Sequence, residues 1–249
     1  MGITLDKVEK KAPELLSLAK TAASAIDTAR LNGQRAKVAL VLDYSGSMRK
    51  EYKSGAMQRL TETILALGVH LDDDGEIDLF TFDSSARHEG TVTLGNFRDV
   101  IAKIVAKRHM GTTNYAAAFR AVLDYFKLAP KSGGGFFRKS TGYSAVDARD
   151  GQPVLAVFLT DGSPDSKAEA VTEITRASYA PVFWQFLSIG AENIAFLQRL
   201  DDLEGRYVDN ADYKPVRDVD RTKPEDLYEM VLDEYPGWLD DQRRRGHIR

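Results

Sequence analysis

Residues 38–47 read VALVLDYSGS, five consecutive apolar side chains followed by an aspartate and then two serines. An unbroken apolar run between polar flanks is typical of a strand that is buried on both faces of a sheet. A second run, VLAVFL at 154–159, has the same character and leads into Thr160 and Asp161. The two runs therefore predict two central strands, each of which ends at an acidic residue.

Apolar residues at helical spacing separate the strand-type runs. Helices are expected at about 15–26, 57–71, 96–105, 115–126, 167–177, 195–200 and 226–239, and further strands at 77–82, 87–94, 182–189 and 206–208. This alternation predicts an α/β fold with a mostly parallel central sheet and helices on both of its faces. Turn-forming residues at 83–85 predict that the segment after them returns antiparallel as a short edge strand.

The same pattern predicts one large domain that is preceded by a helical segment. Residues 1–34 are expected to form an N-terminal helical extension, and residues 35–249 to form the main domain, including a C-terminal helix. Within that domain, residues 131–152 contain the run SGGG and few aliphatic side chains. This composition predicts a flexible insertion before the next strand.

Composition excludes several classes of protein. The chain has 34 Lys and Arg against 37 Asp and Glu, a balance that argues against nucleic-acid binding by bulk charge. It has no cysteine, so disulfides, cysteine-bound zinc and thiol catalysis are excluded. The charged residues 1–11 do not resemble a secretory signal, and the longest charge-free apolar stretch, 177–191, is too short and too polar for membrane insertion. We expect a cytoplasmic protein.

Three polar clusters stand next to the predicted helices and strands. Residues 43–48 and 160–163 each follow a central strand, and residues 111–114 form a loop before a helix. Binding sites in open α/β sheets form outside the carboxyl ends of the strands. We therefore expect all three clusters to meet at one edge of the sheet.

Together the clusters offer two carboxylates and several hydroxyls. An oxygen-only donor set with two acids suits a small, hard dication, so we expect Mg²⁺, with Mn²⁺ or Ca²⁺ as alternatives. Waters or an oxygen from another molecule would complete the coordination. The expected metal ligands are Asp43, Ser45, Ser47, Thr113 and Asp161.

The three clusters, in this order, resemble the metal-ion-dependent adhesion site of von Willebrand factor A (VWA) domains. The matching pieces are the D-x-S-x-S run at 43–47, the threonine loop GTTNY at 111–115 and LTDG at 159–162. The resemblance covers residues 36–210. It implies a Rossmann-like VWA fold with strand order 3-2-1-4-5-6, and a metal to which a protein partner donates an acidic residue. The hydroxyls of Ser45, Ser47 and Thr113 would then bind the metal. The two aspartates, Asp43 and Asp161, would bind it directly or through water.

Within that family, the sequence resembles a bacterial intracellular branch associated with tellurium resistance and stress response, the TerF-like branch. The residues that carry this finer resemblance are the start MGITL, Tyr44, the pair Asn114-Tyr115 and the run FWQF at 183–186. The resemblance implies a metal-dependent protein interaction module rather than an enzyme.

Other interpretations of the same residues remain open at this point. Serines after a strand can simply cap a helix, which would leave a scaffold that binds no metal. An aspartate at a strand end could be the nucleophile of a Mg²⁺-dependent phosphoryl hydrolase, but Ser45 stands where a second acid would be needed. Thr112, next to Thr113, leaves some ambiguity over which threonine coordinates.

Overall fold

The computed structural model describes residues 3–106, 108–132, 142–149, 151–190 and 193–249. Six strands form one sheet: β1 (Lys37–Asp43), β2 (Ile77–Phe82), β3 (Ala86–Val92), β4 (Val154–Thr160), β5 (Val182–Ile189) and β6 (Ala211–Arg217). The helices are α1 (Leu5–Lys11), α2 (Leu16–Thr28), α3 (Arg49–Ser54), α4 (Ala56–Leu71), α5 (Val100–Val105), α6 (Tyr115–Tyr125), α7 (Lys167–Ala177), α8 (Ala195–Asp201), α9 (Pro224–Leu232) and α10 (Tyr235–Arg244).

The strand order is β3-β2-β1-β4-β5-β6, and β3 is antiparallel while the other neighbouring pairs are parallel. The predicted mostly parallel α/β fold and its strand order are therefore confirmed. In the register, Leu42 of β1 lies beside Leu159 of β4, and Asp43 lies beside Phe82 of β2. The polar loops that follow β1 and β4 consequently leave the sheet side by side.

Alternate residues of the central strand enter two separate cores. Leu40 and Leu42 pack in a core with residues of α2, α4, α9 and α10, whereas Ala39 and Val41 pack in a core with residues of α6, α7 and α8. Helices on both faces explain why the strand carries an unbroken apolar run. The register of the sheet is fixed because a slip by one residue would exchange the two sets of side chains.

The fold differs from the sequence-based expectation in several elements, and the helix expected at 96–105 begins only at Val100. The edge strand expected at 206–208 is wrong, since the sixth strand is Ala211–Arg217, whose position at the sheet edge tolerates Pro215. The single helix expected at 226–239 is two helices, because Pro236 can lie in the first turn of α10 but not inside a longer helix. An additional helix, α3, precedes α4, and Gly55 separates the two with φ of 82°.

The segment expected to be a flexible insertion is described in part. Residues 133–141 and 150 lie outside the described residues, so that expectation remains a prediction for them. Its described ends are bonded to the main domain, with Val146 N–H donating to the carbonyl of Tyr179 at 2.8 Å and Ala148 N–H donating to that of His247 at 3.1 Å.

Among the helices in the described ranges, none combines the length and the apolar composition that crossing a bilayer would require.

Candidate metal centre

The loop after β1 and the threonine loop are joined by backbone contacts. Ser45 forms an isolated parallel bridge with Gly111, and Gly46 N–H donates to the carbonyl of Gly111 at 3.1 Å. A side chain at position 111 would meet Ser84 Oγ at 2.8 Å and Asp83 Cβ at 3.0 Å. Glycine is therefore required where the threonine loop passes between the β1 loop and the β2–β3 turn.

Four of the five expected ligands form one continuous chain of polar contacts. Ser45 N–H donates to Asp43 Oδ1 at 2.7 Å. The hydroxyls of Ser45 and Ser47 lie 3.1 Å apart, and that of Ser47 donates to Asp161 Oδ1 at 2.8 Å. The fold thus brings Asp161 into hydrogen-bond contact with a residue that precedes it by 114 positions.

The spacing of these oxygens suits a small octahedral ion. Adjacent ligands of an ion with bonds of 2.0–2.1 Å are separated by about 2.9 Å. The separations of 3.1 Å between the two serine hydroxyls and 2.8 Å between Ser47 and Asp161 are close to that value. The same oxygens would exchange their mutual hydrogen bonds for bonds to the ion, so the donor set fits Mg²⁺ or Mn²⁺.

Asp43 lies at the bottom of the site and is fully buried. Its Oδ2 accepts a hydrogen bond from Thr160 Oγ1 at 2.6 Å, and its carbonyl accepts one from Tyr52 at 3.0 Å. Burial raises the pKa of the Asp43 carboxyl to about 6, against the lowering effect of hydrogen bonds from Ser45 and Thr160. The negative charge of Asp161 adds to the rise, and a bound dication would act in the opposite direction.

The neighbouring residues Thr112 and Thr113 differ in the hydrogen bonds of their hydroxyls. The Thr112 hydroxyl lies 3.1 Å from Ser84 Oγ. The backbone of Thr113 is held by Asp165, whose Oδ2 accepts from its N–H at 3.1 Å and whose N–H donates to its carbonyl at 2.8 Å. Within the described part of the chain, the hydroxyl of Thr113 takes part in no hydrogen bond, so it is free to bind a ligand while that of Thr112 is occupied.

Several supporting residues were not anticipated from the sequence. Thr160 anchors Asp43, and the Tyr115 hydroxyl donates to the carbonyl of Gly162 and also lies 3.3 Å from Thr160 Oγ1. Asp165 orders the threonine loop as described above. The positions of Thr160 immediately before Asp161, and of Tyr115 immediately after the threonine loop, are the only sequence signals for these roles. Their partners become visible only in the fold.

A partly buried ion network lies next to the threonine loop, whose Asn114 N–H donates to the carbonyl of Asp83 at 2.9 Å. Arg108 pairs with Asp83 Oδ2 at 2.7 Å and with Glu89 Oε1 at 2.8 Å. Its guanidinium also lies 4.8 Å from the ring centre of Tyr44. Asp83, expected to be a turn residue, accepts from Ser85 N–H at 2.9 Å, so it serves the hairpin turn and anchors Arg108 as well.

A sheet in this order, with polar loops after β1 and β4 and a threonine loop beside them, defines a VWA domain. The family model described as "vWA found in TerF C terminus" matches residues 35–136 and 140–248. The chain therefore belongs to the vWA-TerF-like family. A relative in Bacillus subtilis (strain 168), the uncharacterized protein YcbR, is 30% identical over 229 residues, which are 90% of this chain and 86% of YcbR.

Solved structures share the fold at low sequence identity. Proximal thread matrix protein 1 from the mussel byssus has a TM-score of 0.57 at 14% identity, over 82% of this chain and 48% of that protein. The same mussel protein with a zinc-occupied MIDAS motif has a TM-score of 0.53 at 15% identity, over the same shares. The PilB minor pilin of Streptococcus sanguinis has a TM-score of 0.51 at 14% identity, over 82% of this chain and 62% of the pilin. The chain thus spans about half the length of the mussel protein.

Proposed function

We propose that this chain is a divalent-metal-dependent protein interaction module and has no catalytic activity of its own. A Mg²⁺ ion, or Mn²⁺ or Ca²⁺ in its place, would be held at the carboxyl edge of the sheet, with one position left for an acidic residue of a protein partner. When bound, the ion would attract and orient that carboxylate. The ligands in this proposal are Asp43, Ser45, Ser47, Thr113 and Asp161.

The observation that carries the proposal is the chain of contacts from Asp43 through Ser45 and Ser47 to Asp161. Serines that only capped the following helix would point to its backbone N–H groups. Here the first helical turn after Ser45 has no side-chain cap, and the serine hydroxyls contact each other and Asp161 instead. The mussel protein of the same fold with zinc in its MIDAS motif supports the same use of this edge.

A basic cleft next to the site supports an acidic partner. A cavity of about 590 Å³ lies between α3 and residues 105–106 and 108–110, and Arg49, Lys53 and His109 line it with exposed side chains. Arg108 also lines this cavity, but its charge is largely neutralised by its ion pairs with Asp83 and Glu89. An acidic segment of the partner could therefore place one carboxylate at the metal and further ones in this cleft, which would also steer its approach.

Membership of the vWA-TerF-like family supports a place for this module in a bacterial tellurium-resistance or stress-response system, in the cytoplasm. The proposal assigns the module a binding role in that system. It does not assign a reaction of tellurite to any residue.

The test is affinity capture with the full chain in Mg²⁺ or EDTA, using wild type, Asp43→Asn and Glu51→Gln. Glu51 lies on α3 beside the site, and its variant removes the same charge without touching a proposed ligand. We expect the wild type and Glu51→Gln to retain the same partner in Mg²⁺ and to release it in EDTA. Asp43→Asn should retain neither that partner nor Mg²⁺ in calorimetry.

Equal recovery of the partner with all three proteins, in Mg²⁺ and in EDTA, would refute a metal-dependent interaction. Turnover of a phosphate ester by wild type and not by Asp43→Asn would instead support the hydrolase.

A further inference from the structure

A second group of acids lies at the β6 edge of the sheet, away from the candidate metal centre. Carboxylate oxygens of Asp201, Asp212 and Glu234 all lie within 4.8 Å of one another. Asp201 ends α8, Asp212 lies in the first half of β6, and Glu234 stands between α9 and α10. The edge strand β6 is three strands from β1, which is roughly 14 Å across a sheet with ordinary strand spacing. The two groups therefore cannot share an ion.

The surroundings leave this second group short of positive charge. Lys214 lies 3.1 Å from Asp212 Oδ1, but its ammonium also pairs with Asp233 at 2.6 Å. Arg206 donates to the main-chain carbonyl of Asp201, which has no net charge, and forms its ion pair with Asp209. Within the described ranges, three carboxylates that lie within 4.8 Å of one another thus share a single lysine.

The buried side chain of Asp212 is independent evidence that this group binds a ligand. Its side chain is 1% exposed, yet its Oδ2 accepts no hydrogen bond within the described residues. Beside it in the sheet, buried Gln185 donates to the carbonyl of Asp212 at 3.3 Å and leaves its own Oε1 without a partner. Buried carboxylate and amide oxygens without partners are costly unless something else binds them.

The position of Asp201 in its helix adds to this cost. Asp201 lies in the last turn of α8, and the C-terminal end of a helix carries a partial negative charge, whereas Glu234 stands between the end of α9 and the start of α10. Burial and the neighbouring charges of Asp212 and Glu234 raise the pKa of Asp201 to about 7. A cation among these groups would relieve the repulsion among the carboxylates and the repulsion between Asp201 and the end of α8.

We propose that Asp201, Asp212 and Glu234 form a second cation site, suited to Ca²⁺. Ligand oxygens around an ion with bonds of 2.3–2.6 Å lie no more than about 5 Å apart, as these do. Gln185 Oε1 is a candidate neutral ligand. A cavity of about 370 Å³, lined by five acids and one arginine, leads to Asp201 and Glu234 from solvent. This site does not depend on the function proposed above.

The test is calorimetric titration of CaCl₂ into the full chain carrying Asp43→Asn, which disables the carboxyl-edge site. We expect this protein to bind a single Ca²⁺. Adding Asp201→Asn or Glu234→Gln should weaken that binding by about 10- to 100-fold. Adding Asp209→Asn, the matched control in the same cavity, should leave it unchanged, because that carboxylate is paired with Arg206.

Thermal unfolding without metal shows whether each variant folds. Asp201→Asn and Glu234→Gln should not lower the midpoint, since each removes a charge from a crowded group. Absence of Ca²⁺ binding to the Asp43→Asn protein would overturn the second site, and so would equal binding by the control and the two cluster variants. If wild type and Asp43→Asn bind the same number of ions, the carboxyl-edge site fails instead.

Discussion

Asp43 is the residue at which stability and the proposed metal binding oppose each other. A carboxylate that is buried at the end of β1 is costly when it is charged, and its pKa of about 6 expresses that cost against an ordinary value of 3.8. Because the folded state holds the proton more tightly than the unfolded state, stability falls as pH rises from about 4 to about 6 and stays lower above it. The difference between these two pKa values corresponds to about 3 kcal/mol in the free energy of unfolding.

Asp43→Asn should therefore stabilise the metal-free protein at pH 7.5 by about 1–3 kcal/mol. Thr160 can turn its hydroxyl toward the carbonyl of Gly162, at 3.2 Å, and accept from the new amide, so the hydrogen bonds are kept. The measurement is urea unfolding in EDTA between pH 4 and 8. At saturating Mg²⁺, about 100-fold over its dissociation constant, wild type should gain about 2.7 kcal/mol and the variant none. A metal-free variant less stable than wild type at pH 7.5 would contradict this account.

Thr112 and Thr113 allow a second test on single residues, in which one variant is the control for the other. Thr113→Ala should weaken Mg²⁺ binding by about tenfold or more, because it removes a proposed ligand. Thr112→Ala removes a hydroxyl that is bonded to Ser84 and should leave the affinity nearly unchanged. Calorimetric titration of both variants with MgCl₂ measures the difference. The opposite ranking would assign the ligand to Thr112.

At the scale of elements, the candidate metal centre depends on how closely three loops pass one another. Gly111→Ala would place a methyl group 2.8 Å from Ser84 Oγ and 3.0 Å from Asp83 Cβ. We expect a loss of about 1–3 kcal/mol in the free energy of unfolding, as for other overpacked sites. Gly46→Ala is the control, since its new methyl would meet nothing within 4 Å. Urea unfolding measures the free energy of unfolding of both variants. Equal values would contradict the prediction, because they would show that the loops can move apart without loss of stability.

The elements also show where pattern analysis succeeds and where it does not. The boundaries of α7 and β5 follow from their periodic apolar residues and agree with the structure. The strand β6 escaped prediction because Asp212, Lys214 and Pro215 are poor strand residues, and only the free edge of the sheet accommodates them. Helix α3 is six residues long, which is too short for a periodic signal.

At the scale of the whole molecule, the first two helices are part of the main core. Residues of α1 and α2 pack with α4, α9 and the strands in one continuous cluster. The apolar face of α2 is thus covered by its own chain. The proposed boundary at residue 34 would then separate segments that unfold together.

Leu15→Ala tests this cooperativity, since Leu15 is 1% exposed in that core. The variant should lose about 2–5 kcal/mol of stability in one unfolding transition seen both by far-ultraviolet circular dichroism and by tryptophan fluorescence. Ser17→Ala, at an exposed neighbouring position, should change stability by less than about 0.5 kcal/mol. Two separate transitions would indicate that residues 1–34 fold on their own.

The amino-acid sequence by itself determined the α/β class, the strand order through its family resemblance, and the set of oxygen ligands that we propose. Apolar period and residue type are local properties, and they are sufficient for these conclusions. The tertiary structure alone decided which groups support Asp43, which threonine has a free hydroxyl, and that Asp201, Asp212 and Glu234 meet. Those contacts join residues far apart in the chain, and their geometry comes from packing, which leaves no periodic trace in the sequence.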